Sequence, residues 1–263
     1  MSRLILSRRR LLHSGLTAAA ALPLAGCDSF DFLRERSNPV RRFLMSANGL
    51  TYRAQRLLQS ADQLATEFSA SDIRQGQKPN GSVNPDTPEY LSLKQTNFAD
   101  YVLEVDGLVE RPMRFPLDAI RNMPARTQIT RHDCVEGWST IAKWHGVPLK
   151  LILDQVGIRP AARYVMFHCF DAPTKSLSGL DFYYESIDLI DARHPQTILA
   201  YAMNDTPLPV AHGAPLRVRV ERQLGYKMAK YIRRIELISD FSQFRDGQGS
   251  YWADRGYEWY AGI

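Results

Sequence analysis

Several common cofactor signatures are missing from this sequence. Its 263 residues include three cysteines and six histidines, and none of them form a Cys-x-x-Cys or His-x-x-x-His pair. A zinc ion held by protein ligands alone is therefore not expected. No Cys-x-x-Cys-His motif is present to attach haem. No Gly-x-Gly-x-x-Gly follows a predicted strand, so a Rossmann nucleotide site is not supported.

Net charge is also scarce once the N-terminus is set aside. The chain has 33 basic and 28 acidic residues, but four of the arginines lie in the first 26 positions, which hold no acidic residue. The remainder is close to neutral, with 29 basic and 28 acidic residues. Nucleic-acid binding requires a basic stripe on the folded domain, so the composition gives no support for a nucleic-acid partner.

The first 27 residues carry export signals. Residues 7–12 read S-R-R-R-L-L, a weakly apolar stretch follows at 16–22, and residues 24–27 read L-A-G-C. The apolar stretch is too short for a permanent membrane helix, and the order of basic, apolar and small residues is that of a cleaved signal. The first motif resembles twin-arginine signals and the last resembles the lipobox of bacterial lipoproteins, which implies export of a folded protein acylated at Cys27. An ordinary secretory peptide is the alternative interpretation.

Hydrophobic periodicity predicts an α+β protein. Residues 50–68 have the apolar spacing of an amphipathic helix. Strands are predicted at 101–109, 125–131, 164–170, 216–220 and 231–238, with short helices at 116–123 and 150–156. Short helices among mostly non-parallel strands favour the α+β class. We therefore expect a signal peptide at 1–26, a lipid tether with a helical extension at 27–95, a folded domain at 96–240 and an aromatic tail packed on it at 241–263.

Two cysteines remain once Cys27 is assigned to the lipid, Cys134 and Cys169. In an exported protein they could form a disulfide, and the alternative is that one of them binds a metal. Cys134 follows a predicted strand beside Arg131 and His132, a locally electropositive position that favours the thiolate. Thiolates suit thiophilic transition metals. A single protein thiolate makes sense as a ligand where an organic cofactor supplies the others.

Three motifs, in order along the chain, resemble segments of the sulfite oxidase family. Residues 134–139 read C-V-E-G-W-S, which is similar to the molybdenum-ligating motif of the family's bacterial methionine sulfoxide reductase branch. Residues 208–217 (L-P-V-A-H-G-A-P-L-R) and 225–230 (G-Y-K-M-A-K) resemble its pterin-binding segments. The resemblance extends from about Asn97 to Ile238. It implies a molybdopterin-binding domain of mixed sheets and short helices at 96–240, with one pyranopterin dithiolene per chain.

The resemblance also implies roles for individual residues. Cys134 would ligate the molybdenum, and Arg217 would bind the phosphate of the cofactor, for which the planar fork of a guanidinium is suited. Further cofactor contacts are implied for Asn97, Cys169, His212, Met228, Ala229 and Lys230. Cys169 could instead fill buried space as a small hydrophobe. If it lies as in the family, it is not bonded to Cys134.

The substrate-binding side of the site is predicted from two candidate residues, Tyr183 and His132, and from one difference from sulfite oxidases, the acidic residue Glu136. Residues 181–186 (D-F-Y-Y-E-S) resemble a family loop whose tyrosine approaches the oxo groups of the metal, which implies a catalytic role for Tyr183. His132 could relay protons, because the pKa of histidine lies near neutrality. Glu136 lies two residues after Cys134, and an acid there opposes an anion such as sulfite. A neutral substrate such as a sulfoxide is therefore favoured.

Together these implications predict an exported molybdenum oxidoreductase that transfers an oxygen atom and two electrons to or from a small sulfur or nitrogen compound. Its electron partner would be a membrane b-type cytochrome or a soluble c-type cytochrome, by family analogy. We expect a monomer, exported by the twin-arginine machinery and anchored by lipid on the periplasmic side of the inner membrane. The alternative is a cofactor-free, lipid-anchored binding module that keeps the fold.

Overall fold

A computed structural model describes residues 38–58, 60–176 and 179–263. The predicted signal peptide and the lipidation site at Cys27 lie outside the described residues. The chain divides into two compact units, the first ending at Ala54 and the second comprising Gln55–Ile263. The second unit therefore begins earlier in the sequence than the domain expected from residue 96. Among the described residues, no helix is both long and apolar enough to cross a membrane.

Helix α1 (Pro39–Leu58) is displaced towards the N-terminus from the helix predicted at 50–68. Beyond Leu58 the prediction was wrong. Gln196 there binds both the backbone N–H and the carbonyl of Ala65, at 2.8 and 3.0 Å, and Glu67 forms a β-bridge with Thr130. Backbone groups that a helix would use internally are thus bound to the rest of the second unit.

In the described part of the second unit there are two five-stranded sheets and a separate two-stranded sheet. The strands are β1 (Val102–Gly107), β2 (Met113–Pro116), β3 (Arg126–Asp133), β4 (Ser139–Pro148), β5 (Tyr164–Cys169), β6 (Thr174–Ser176), β7 (Gly179–Asp181), β8 (Tyr184–Asp188), β9 (Ile198–Met203), β10 (Thr206–Pro207), β11 (Arg217–Arg219) and β12 (Ile232–Ile238). The α-helices are α2 (Pro88–Gln95), α3 (Leu117–Arg121), α4 (Leu149–Val156) and α5 (Leu189–Ala192).

The two sheets differ in strand direction. The first has the order β2-β1-β12-β5-β8 and is mixed, since β1 and β12 run parallel and the other neighbours antiparallel. The second has the order β10-β9-β4-β3, with β11 also paired to β9, and is antiparallel throughout. Mixed sheets with short helices confirm the predicted α+β class.

Helix α4 shows how the sequence builds the core. Leu149, Ile152, Leu153 and Val156 are all fully buried, and their spacing places them on one face of a helix. They pack in one cluster with apolar residues of both sheets, including Val165 of β5. This core supports β4, β5 and β11, three of the strands that position the site.

Candidate functional site

Cys134 lies at the tip of the β3–β4 hairpin. The two strands pair up to Asp133 and Ser139, and residues 134–138 form the connecting turn. The Cys134 N–H donates to the Trp138 carbonyl at 2.9 Å, and the Gly137 N–H donates to the Cys134 carbonyl at 3.0 Å. Gly137 has a φ of +84°, a conformation that favours glycine. The turn holds the thiol half-buried at the end of the hairpin.

The prediction that Cys134 lies in electropositive surroundings was wrong. Arg131 points outward and pairs with Asp133 at 2.9 Å, whereas the buried His132 has its pKa lowered by desolvation first and by Arg219 next. Burial raises the pKa of the Cys134 thiol. Since the neighbouring side chains do not favour the thiolate, a coordinated metal cation is what would deprotonate this sulfur.

Cys134 opens into a cleft of about 400 Å³ in the second unit. The other lining residues are Asn80, Gly81, Ser82, Val135, Glu136, Asp171, Pro173, Tyr183, Tyr226, Met228, Lys230, Trp252 and Tyr257. Aromatic rings form one wall: Trp252 and Tyr257 have centroids 5.0 Å apart, and Tyr226 meets Tyr257 edge-on at 5.4 Å. At the mouth, Glu136 accepts from the Trp138 indole at 2.8 Å, which lowers the pKa of this carboxyl.

Two buried ionisable groups lie in the cleft with Cys134. Lys230 donates to the carbonyls of Asn80 (2.6 Å), Ser82 and Ala211 (3.0 Å). Burial, followed by the charge of Arg217, lowers the pKa of Lys230 to about 7. Burial raises the pKa of Asp171 to about 6. Both groups can therefore gain or lose a proton near neutral pH.

A second cluster, which we call the cationic cradle, consists of His132, Trp144, His212 and Arg217 around one small buried space. The Arg217 guanidinium lies over the Trp144 ring, 4.9 Å from its centroid, and donates from one terminal nitrogen to the His212 carbonyl at 2.9 Å. Its Nε and its other terminal nitrogen have no partner, nor do Nε2 of His132 and Nε1 of Trp144. Four buried donors without an acceptor mark a site for an anion.

Two glycines allow the backbone to approach the cradle closely. A Cβ at Gly225 would lie 2.3 Å from Nε2 of His132, and one at Gly213 would lie 2.9 Å from Cβ of Lys230. Gly213 also has a φ of +114°. Because neither position has room for a side chain, these glycines fix the path of the 208–217 and 225–230 segments around the cradle.

The predicted site residues are thus divided between two adjacent places. Cys134, Tyr183, Met228 and Lys230 line the cleft, and His132, His212 and Arg217 form the cradle. The Tyr183 hydroxyl donates to the Tyr226 carbonyl at 2.7 Å, and burial raises the pKa of this phenol. Burial and two neighbouring cations lower the pKa of His212 to about 4, so its ring is neutral.

The proton relay predicted for His132 stays a prediction, and the contacts of its ring point to a different role. Its Nδ1 accepts from Arg219 at 2.9 Å, and Gly225 closes over Nε2. The ring is buried and lines the cradle rather than the Cys134 cleft. His132 is placed to orient Arg219 and to offer one N–H donor to an anion.

Three other predicted contacts lie outside both places. Asn97 is exposed after helix α2, and Cys169 and Ala229 are buried in the core. Cys134 and Cys169 are both free thiols, so the disulfide alternative is excluded. The cofactor contacts implied for Asn97, Cys169 and Ala229 stay predictions.

Sequence reasoning missed several lining residues, including Asn80, Ser82, Asp171, Trp252 and Tyr257. The carbonyls of Asn80 and Ser82 act through the backbone and leave no trace in residue type. Asp171 had a usable signal, since an acid directly after a buried apolar strand calls for an explanation. Trp252 and Tyr257 belong to the aromatic tail, whose Tyr251 N–H binds the Tyr184 carbonyl at 2.9 Å.

The fold, the free thiol and the adjacent anion site together define an oxidoreductase centre that binds a phosphate-bearing cofactor. The family model described as the oxidoreductase molybdopterin binding domain matches residues 90–244. The chain therefore belongs to this family of enzymes, the sulfite oxidase family, as its motifs led us to expect.

Named relatives come from the same family. The chain is 33% identical over 256 residues to a protein of Azospira oryzae named putative protein-methionine-sulfoxide reductase subunit YedZ1. The alignment covers 97% of this chain and 88% of the relative. It is 36% identical over 146 residues to the protein-methionine-sulfoxide reductase catalytic subunit MsrP of Gluconobacter oxydans, covering 52% of this chain and 47% of that protein. Among solved structures, the sulfane dehydrogenase SoxCD of Paracoccus pantotrophus aligns with a TM-score of 0.49 and 21% identity, over 58% of this chain and 45% of its own.

The residues present fit a molybdenum–pterin cofactor. Its phosphate is an acceptor that would satisfy the orphaned nitrogens of Arg217, and a thiophilic metal would be bound by Cys134, the one thiol that is not fully buried among the described residues. A cofactor-free binding module would leave buried donors unpaired, at about 1–3 kcal/mol each.

Proposed function

We propose that this protein reduces a small or peptide-borne sulfoxide to the thioether, taking up two electrons and two protons and releasing the oxygen atom as water. Two relatives named as methionine-sulfoxide reductase subunits support this substrate class. The observation that carries it is the Cys134 cleft, which has an aromatic wall and two acidic side chains, Glu136 and Asp171, in its lining.

The lining of the cleft favours a neutral sulfur compound over an anion. Sulfur makes favourable contacts with aromatic rings, which Tyr226, Trp252 and Tyr257 supply. Glu136 is ionised at the mouth, and a fixed negative charge repels sulfite. The N–H donors of Lys230 are already used by three backbone carbonyls, so none is left for an anionic substrate.

The roles of the residues follow from their places. When bound, the molybdenum–pterin cofactor supplies a metal that exchanges an oxygen atom and two electrons with the substrate. Cys134 would ligate that metal, and the open donors of Arg217 would bind the anionic part of the cofactor, while Lys230 would add its positive charge nearby. Tyr183 is oriented by the Tyr226 carbonyl and bounds the substrate space.

Asp171 is the proposed proton donor. Its pKa of about 6 keeps part of the population protonated near neutral pH, and Oδ1 has no protein partner. A carboxylic acid in a cleft with a suitable pKa can protonate the departing oxygen of a sulfoxide. Asp171 would then be reprotonated from solvent through the cleft mouth.

A competition between substrates tests the proposal. Purified holoenzyme is supplied with a reduced viologen dye and with dimethyl sulfoxide, methionine sulfoxide or a methionine sulfoxide peptide, and separately with sulfite and an electron acceptor. We expect sulfoxide reduction to exceed sulfite oxidation in kcat/KM. Faster sulfite oxidation would refute the proposed substrate class, while leaving the family unaffected.

We also propose export by the twin-arginine route and a lipid anchor at Cys27, which would place the enzyme on the periplasmic face of the inner membrane. The support is the S-R-R-R-L-L and L-A-G-C motifs. A membrane b-type or a soluble c-type cytochrome would deliver electrons, since both relatives are named as subunits. Arg8→Lys with Arg9→Lys should leave active enzyme in the cytoplasm at unchanged charge, and normal export would refute this route.

A further inference from the structure

Helix α1 has an apolar face that is exposed to solvent. Phe43 is 75% exposed and Leu50 is 66% exposed, and Val40 and Leu44 are also exposed. Successive helical residues are rotated by about 100°, which places these four side chains within one sector. The pattern continues into the last turn, where Leu57 and Leu58 are exposed. Contiguous apolar surface of this kind marks a contact with another phase or molecule.

The charges of α1 are of one sign only. The helix contains Arg41, Arg42, Arg53 and Arg56 and no acidic residue. Arg42 and Arg53 are exposed, and their spacing of close to three turns places them in line with each other on the polar side of the helix. Long arginine side chains there can extend to phosphate groups while the apolar face is buried.

We propose that α1 lies in the plane of an anionic phospholipid surface, with Val40, Phe43, Leu44 and Leu50 in the acyl boundary and Arg42 and Arg53 on the headgroups. A basic amphipathic helix gains from both apolar burial and electrostatic attraction at such a surface. Pairing with a second copy of α1 is disfavoured, because it would bring only positive charges together. The binding is separate from acylation of Cys27 and from the enzyme's chemistry.

A local probe distinguishes this helix from any other membrane attachment of the full chain. Leu50→Trp places a fluorophore on the apolar face, and Tyr52→Trp places one on the opposite side of the same helix. On vesicles of phosphatidylglycerol with brominated acyl chains, we expect strong additional quenching for Leu50→Trp and little for Tyr52→Trp. Equal quenching of the two variants, or none of either, would overturn the proposal.

Affinity gives the second test. In a Cys27→Ala background, Phe43→Ser with Leu50→Ser should weaken partitioning onto phosphatidylglycerol vesicles by roughly tenfold or more. The matched control is Leu91→Ser with Ile190→Ser, two exposed apolar residues outside α1, which should not weaken it. Arg42→Glu with Arg53→Glu should also weaken it.

Turnover of a soluble sulfoxide serves as the folding check and should be unchanged in every variant. Three results would overturn the proposal: partitioning that the α1 variants do not alter, equal partitioning onto pure phosphatidylcholine, or a dimer in solution that Phe43→Ser with Leu50→Ser dissociates. The last result would identify a second copy as the occupant of this face.

Discussion

Two arginines lie against the same indole ring and differ in how many of their nitrogens have hydrogen-bond partners. Arg217 and Arg219 lie 4.9 and 4.3 Å from the centroid of the Trp144 ring, and both are fully buried. Arg219 is satisfied: it makes two hydrogen bonds to Glu221, at 2.9 and 2.7 Å, and one to His132 at 2.9 Å. Arg217 has one carbonyl partner and two orphaned nitrogens.

The difference separates a structural cation from one kept for a ligand. A buried ion pair with all donors used belongs to the fold, and removing one partner is costly. A buried cation with open donors destabilises the cofactor-free protein, and burial accordingly lowers the pKa of Arg217 to about 9. The cationic cradle is therefore preorganised at a cost in stability, whereas the Cys134 cleft carries reactivity and selectivity.

The largest effect is expected at the cleft. Cys134→Ser should reduce sulfoxide turnover by roughly a thousandfold or more, equivalent to about 4 kcal/mol of barrier, because an alkoxide is a harder and poorer donor to the metal than a thiolate. The check is turnover with a viologen dye alongside molybdenum analysis. Cys169→Ala is the matched control, since this free thiol lies in the core and not in the cleft. Loss of molybdenum in Cys169→Ala would instead support the cofactor contact implied by the family.

The two arginines provide the next contrast. Arg219→Met leaves the buried Glu221 carboxylate without its cation and with only the Gln128 amide as a donor, and should lower the free energy of unfolding of the cofactor-free protein by about 3–5 kcal/mol. Arg217→Met removes an unsatisfied charge, and should leave that free energy unchanged or raise it by about 1–3 kcal/mol. Urea denaturation measures both.

In the cofactor-bound enzyme, the substitution at Arg217 should be more harmful than the one at Arg219. Arg217→Met should lose most of its bound molybdenum, because the phosphate loses its bidentate partner. Equal destabilisation by the two substitutions, with full molybdenum content in Arg217→Met, would show that Arg217 is as structural as Arg219 and would end the distinction.

Local pattern was enough to predict five of the twelve strands in the described residues and the three motifs, but not the longest strand, β4 (Ser139–Pro148), nor the burial of side chains beside Cys134. The strands that were predicted, namely β1, β3, β5, β11 and β12, have strong period-2 or apolar patterns. The alternation of side chains along a strand explains why electropositive surroundings were wrongly predicted for Cys134. In β3, Thr130 and His132 face inward while Arg131 faces outward. Treating sequence neighbours as spatial neighbours of the thiol ignored that alternation.

The parts that could not be predicted depend on long-range backbone contacts. Lys230 binds carbonyls of Asn80 and Ser82, which lie 150 and 148 residues away in sequence. A carbonyl is present at every position, so residue type does not indicate that the 80–82 segment lines the cleft. The aromatic tail was predicted to pack on the domain, but which of its rings face the cleft depends on tertiary geometry.

A smaller effect is expected at Asp171. Asp171→Asn should reduce kcat by about a hundredfold, the usual contribution of one positioned acid. Wild-type kcat should fall as pH rises through about 6, because the protonated carboxyl is the active form, and the variant should lack this decline. Glu136→Gln is the matched control: the pKa of this exposed acid is lowered, so the pH profile should stay while sulfite becomes a better substrate. An unchanged profile in Asp171→Asn would assign the proton to another group.

The smallest expected effect tests whether Lys230 is an unsatisfied buried cation, like Arg217, or a satisfied one, like Arg219. Burial lowers the pKa of Lys230 from 10.5 to about 7 in the folded protein, so between these values the unfolded chain binds more protons. The free energy of unfolding of the cofactor-free protein should therefore rise with pH by about 1.4 kcal/mol per unit between pH 8 and 10. Lys230→Met should remove this contribution, so its advantage over the wild type should be largest at pH 7 and shrink towards pH 10. Urea denaturation at several pH values measures the two slopes, and parallel slopes would mean that the three carbonyl partners satisfy Lys230 as fully as Glu221 satisfies Arg219.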